Sequence, residues 1–153
     1  MRTTELLLDE LNRVFGGNAW HGPALRNLLD GVSEKQAVAR PLPNAHSILE
    51  LVVHVGTWMD VVARRLAGNV VDSTTVPDWS DVTKRSWRGV IEELERAQSR
   101  LCDAVARMST EDLQSPVPGK QITKHEEILG ILNHTVYHSG QISLLKKATT
   151  GKK

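Results

Sequence analysis

Along most of this chain apolar residues return every three or four positions, the period of an amphipathic helix, while the alternation of a half-buried strand is nearly absent. Leu7, Leu8, Leu11, Val14 and Phe15 mark a first helix from about Thr3 to Phe15, broken by Gly16, Gly17 and Asn18. A shorter helical stretch covers about Gly22 to Leu29, with Pro23 suited to its first turn. Ser33 and Gln36 have capping-box spacing and open a brief turn of helix before the rigid segment Arg40-Pro41-Leu42-Pro43-Asn44. Ser47 and Glu50 repeat that spacing and start a long helix to about Ala67, stopped by Gly68 and Asn69. Its core stripe is Ile48, Leu51, Val55, Val62 and Leu66. After a loop containing Pro77, the next helix is expected from about Asp81 to Met108. Its stripe, Trp87, Ile91, Leu94, Gln98, Leu101, Val105 and Met108, is that of a helix packed in a bundle. A connector with Pro116, Pro118 and Gly119 leads to Thr123 and Glu126, which cap a last helix running to about Lys147.

Three long helices and a split N-terminal one predict an all-α fold, a four-helix bundle. The connectors allow either an up-down-up-down path or one crossover. A single domain is expected over residues 1–153, with about 148–153 a flexible tail.

Composition narrows the function. The formal net charge is +1 and charged residues are 24% of the chain, without the basic stripe a nucleic-acid partner calls for. No apolar run approaches the roughly 18 residues needed to span a bilayer. The N-terminal segment reads as an amphipathic helix, not a signal peptide. The one cysteine, Cys102, excludes an internal disulfide and suits a reducing compartment, so a cytoplasmic protein is expected.

Six histidines carry the chemical signal: His21, His46, His54, His125, His134 and His138. His134 and His138 are four apart, so they stack on one helix face and can reach a common ion at about 2.0–2.1 Å. The stripe Ile128, Ile131, Thr135, His138, Ile142 and Leu145 turns His138 inward, with His134 on its flank in line with Gln141. His54 follows core Leu51 by three residues and lies at the edge of its own buried stripe. Each feature alone has a bland reading, a satisfied core histidine or a chance helical pair. Three inward-leaning imidazoles on two helices point to a shared divalent metal, because unpaired buried imidazoles are costly. His46 is eight residues from His54, about 12 Å along a helix and too far to share the ion. His125 is expected to be exposed, and His21, after Trp20, to lie at a pocket mouth or the surface.

The segments Pro43-Asn44-Ala45-His46 through His54, and His134-Thr135-Val136-Tyr137-His138-Ser139-Gly140-Gln141, resemble the second-helix and last-helix motifs of the DinB-like (DinB/YfiT) superfamily. Ala19-Trp20-His21-Gly22-Pro23 resembles a further motif near its N-terminus, and the likeness runs from about residue 5 to 147. The resemblance implies a four-helix bundle, often a homodimer, with a metal site at His54, His134 and His138. It implies a spread of activities too: some members are S-transferases or isomerases that use low-molecular-weight thiols such as bacillithiol or mycothiol. The superfamily's name does not imply DNA binding.

Three neutral histidines leave positions open on zinc, nickel or a similar ion, which separates a catalytic site from a closed structural one. A metal-dependent thiol S-transferase acting on a small thiol and an electrophile is expected. A hydrolase, a non-catalytic metal-binding protein and a metal-free interaction module are the alternatives. Gln141 is a candidate hydrogen-bond partner for a ligand or an imidazole. Trp20, His21 and Trp79 are candidate pocket walls. Trp58 and Trp87 read as packing, Tyr137 as packing or a dimer contact, Asp60 and Glu50 as solvated, and Cys102 as a buried, inert thiol.

Overall fold

The computed structural model describes residues 2–150, and these form a helical bundle. Its α-helices are α1 (Thr3–Gly16), α2 (Leu25–Leu29), α3 (Glu34–Val38), α4 (Ile48–Leu66), α5 (Trp87–Ala106) and α6 (Lys124–Thr150). Single 3-10 turns occupy Ser73–Thr75 and Asp112–Gln114. No helix among the described residues is long and apolar enough to cross a membrane.

The capping boxes form as their spacing predicts. Ser47 Oγ accepts from the Glu50 amide at 3.2 Å, and Glu50 accepts from the Ser47 amide at 2.7 Å. Ser33 with Gln36, and Thr123 with Glu126, do the same for α3 and α6. At the far end of α4, Gly68 takes φ +98, a conformation that side-chain-bearing residues resist, and the chain turns away.

Two helix starts differ from the sequence expectation. α5 begins at Trp87, not Asp81, because the Asp81 carboxylate closes a tight turn on the Thr83 amide and Ser86 is the cap. Within α5 the buried face also differs by one position: Val90 enters the core and Ile91 is only half-buried. α2 begins at Leu25 with Ala24 as its cap, so Pro23 stands outside the first turn. α6 runs three residues past Lys147 to Thr150, and the rest of the expected tail, 151–153, lies outside the described residues.

In cross-section α4 packs against α5 and α6, and α1 against the same two helices from the opposite side. The links α1→α4 and α5→α6 therefore join helices across the bundle diagonal. Helices α2 and α3 carry the first of these links, α2 against α1 and α6, α3 against α4. Thirteen of the nineteen residues of α4 are buried, which makes it the central element. Leu51, Val55, Leu94, Leu101, Ile128 and Ile142 fill the interior, each worth roughly 1.5–3 kcal/mol of burial. Polar side chains reach the interior along the α4–α6 seam, where both ends of the seam hold a charged or titratable cluster.

Candidate metal centre

The register set by Ser47 turns His54 from α4 toward α6, where His134 and His138 project one helical turn apart. One ring nitrogen from each of the three lies within 4.8 Å of the others. The ring centroids are 4.9, 4.7 and 4.5 Å apart, close to an equilateral triangle. His54 and His138 are buried and His134 is half-buried.

Hydrogen bonds behind the rings set their tautomers. His54 Nδ1 donates to the Asp78 carbonyl at 2.8 Å, and His138 Nδ1 donates to Gln141 Oε1 at 2.7 Å. Each therefore carries a lone pair on Nε2, facing the middle of the triangle. Gln141 serves an imidazole, as the sequence allowed, and the imidazole is that of His138. His54 Nε2 and His134 Nε2 stand 2.9 Å apart, while the buried His134 Nδ1 has no partner. In either neutral tautomer His134 keeps one nitrogen unsatisfied, a cost of about 1–3 kcal/mol.

Burial lowers the pKa of His134 from 6.5 to about 4, with the neighbouring His138 and His54 adding to the shift. Burial also pushes His138 down, against the opposing hydrogen bond to Gln141. Both rings are thus neutral at pH 7, with nitrogen lone pairs free of protons. Three converging imidazoles suit a borderline divalent ion such as zinc or nickel, and a centre bonded at about 2.0–2.1 Å fits between nitrogens 2.9 Å apart. The donor set fits such a group, and so does the close approach of the His54 and His134 Nε2 atoms, which an ion between them would bridge.

The loop before α5 closes one side. Trp79 stacks on His54 at a centroid distance of 4.2 Å and on His46 at 3.4 Å, both 6° from parallel. Two rings so close to one indole must lie on opposite faces, so Trp79 is sandwiched between them. His46 is outside the three-imidazole cluster, as its spacing from His54 predicts, yet it holds the tryptophan that covers His54. Asp78 accepts from Trp58 Nε1 at 2.9 Å, which ties the loop to α4. The Asp78–Trp79 clasp was legible only as a tryptophan in the loop between the two long helices.

The other sequence candidates sit elsewhere. Trp20 is 99% exposed and His21 is exposed, and among the described residues neither makes a hydrogen bond or ring contact with the three imidazoles. They precede Gly22, which takes φ +127 in the turn before α2. His125 is half-buried at the start of α6, not exposed. Trp87 is core packing, its Nε1 donating to the Val32 carbonyl. Asp60 pairs with Arg100, and Glu50 with Arg40. Burial, and then Asp103, push the Cys102 thiol up, away from a reactive thiolate. A cavity of about 560 Å³ lies between α4, α5 and the loop that joins them, near Thr57, Arg64 and Arg100, and none of the three imidazoles lines it.

The family model described as the DinB superfamily matches residues 19–142. The crystal structure of a conserved protein from Enterococcus faecalis is similar in fold, with a TM-score of 0.75 over 99% of each chain at 17% sequence identity. No curated protein matches the chain.

Proposed function

The chain belongs to the DinB superfamily, and from that premise we propose that it binds one divalent metal ion, zinc or nickel, through His54, His134 and His138. The observation that carries this reading is the convergence of three imidazoles within 4.8 Å, two with their outer nitrogens already held by Asp78 and Gln141. Such hydrogen bonds orient ligand histidines and raise their basicity. When bound, the ion supplies a Lewis acid that lowers the pKa of a water or thiol placed beside it.

Asp78 is the carboxylate against the cluster among the described residues: one of its oxygens accepts from Trp58 Nε1 and sits 3.4 Å from His54, and the side chain is otherwise open to solvent at 59% exposure, able to take a proton from a ligand. A thiol bound at the ion would give its proton to that carboxylate or to water and react as the thiolate, so we read the protein as a metal-dependent thiol S-transferase that joins a small thiol to an electrophile. A metal-binding protein without catalysis is the alternative. The same reading places the protein in the cytoplasm as a homodimer, with Tyr137 and Leu144, 65% and 63% exposed on α6, as the face for a second copy.

Metal content of untagged protein, measured by mass spectrometry, tests the central claim. About one ion per chain in the wild type, lost in His54→Ala and His138→Ala while the helical signal persists, is the expected result. A wild type that takes up neither zinc nor nickel sinks it. Conjugation of thiols to a model electrophile by fully loaded protein then decides between transferase and non-catalytic binder, and light scattering decides the dimer.

A further inference from the structure

A cavity of about 200 Å³ opens against His134 and Trp58 and runs along α6. Glu127, Gly130 and His134 lie along one face of α6, so the cavity spans two helical turns, about 10 Å. The floor between the two ends is clear because residue 130 is glycine. A Cβ built there meets nothing within 4 Å. A glycine inside an exposed helix costs about 1 kcal/mol relative to alanine, and here it leaves open space where a side chain would project. The walls along the middle are apolar, formed by Val62, Ile131 and Trp58.

The far end is charged. Arg65, 2% exposed, donates to the Val71 carbonyl through Nε and Nη2 and to Glu127 Oε1 through Nη1. That pair is neutral in sum, and each of the three guanidinium nitrogens has a partner. Lys120 is different: it is 33% exposed and rests 3.3–3.4 Å from both Glu127 oxygens, at the long limit of a hydrogen bond. Among the charged groups lining the cavity it is the excess, one positive charge with donors to spare.

We propose that this cavity is a binding site for a small linear acid, with its carboxylate beside Lys120, its apolar middle over Gly130, and its other end at the metal held by His54, His134 and His138. The size agrees, since 200 Å³ is below the roughly 300–1,000 Å³ of sites for larger ligands. This assignment rests on the metal-binding reading above and adds the class of molecule that reaches the ion.

Cobalt(II)-loaded protein tests it, with the visible cobalt spectrum as the readout. Two probes share one aliphatic chain and one metal-seeking group: suberic acid monohydroxamate carries a terminal carboxylate, and octanohydroxamate does not. The wild type should bind the acid about tenfold more tightly, the value of one charge-assisted hydrogen bond. Lys120→Gln should abolish that preference and leave octanohydroxamate binding unchanged. Gly130→Leu should weaken both probes while the cobalt spectrum without probe stays intact, because leucine suits a helix better than glycine and its Cβ meets no neighbour. Equal affinities in the wild type, a preference that survives Lys120→Gln, or a cobalt band that neither probe perturbs would each overturn the proposal. A protein that shows no cobalt spectrum at all, before any probe is added, marks failure of the metal reading and takes this proposal with it.

Discussion

The α4–α6 seam buries two polar clusters, and they solve the problem of buried polarity in opposite ways. Near Arg65 and Glu127 the solution is internal. The guanidinium and carboxylate face each other at 2.8 Å, and the other two guanidinium nitrogens each donate to the Val71 carbonyl. Near His54, His134 and His138 the chain satisfies the outer nitrogens of two rings and leaves three nitrogens converging on one another. A low-dielectric interior penalises unpaired groups, so the first cluster is complete as a piece of the fold and the second is complete only with something between the rings. One seam thus carries a structural cluster and a binding cluster, told apart by counting satisfied atoms.

The largest expected effect breaks the satisfied cluster. Glu127→Ala strands the buried Arg65 charge and should cost about 3–5 kcal/mol of stability in urea unfolding. A loss under about 1 kcal/mol would mean that the pair is solvated in solution. Next comes removal of a ring from the other cluster. With zinc at a hundredfold excess over its Kd, binding should stabilise the wild type by about 2.7 kcal/mol. His54→Ala and His138→Ala should lose that increment, so their melting temperatures should be the same with and without zinc. A smaller change sharpens the comparison: Gln141→Ala leaves all three rings but frees His138 to rotate, and should weaken zinc binding about tenfold in a chelator competition. Unchanged affinity would reduce Gln141 to helix packing.

The mildest test is pH. Burial holds His134 neutral down to about pH 4 in the folded chain, against 6.5 for the ordinary group, and His138 is shifted the same way. As pH falls through this window the unfolded chain takes up protons that the folded chain refuses, so metal-free stability should decline from about pH 6.5 toward 4 and be flat just above it. His134→Gln should make the decline shallower, and an identical slope in that variant would assign the effect to other groups.

Much of the bundle was legible because its signals are local. Ser33, Ser47 and Thr123 each bond an amide three residues away, and that geometry is complete within one helical turn. The start of α5 was misread for an equally local reason: an aspartate before a helix can cap it or close a turn of its own, and Asp81 does the latter. At the candidate site the same limit applies. The helical period turned His138 inward and set Gln141 in line with His134, whereas the ring that Gln141 meets is that of His138. Nothing in the spacing of residues 77–80 announced that Asp78 would offer its carbonyl to His54, or that Trp79 would lie between His46 and His54. Trp20 and His21, read as a possible pocket wall, depend on where the turn before α2 points, and it points to solvent.

By itself the sequence determined the helices, their caps and the faces they bury, because those follow from interactions over three or four residues. Only the tertiary structure decided that His54 meets His134 across 80 residues and that Arg65 meets Glu127 across 62. Those encounters depend on how α4 and α6 settle against each other, and that is set by the packing of the whole core, in which no single residue pattern states the partner.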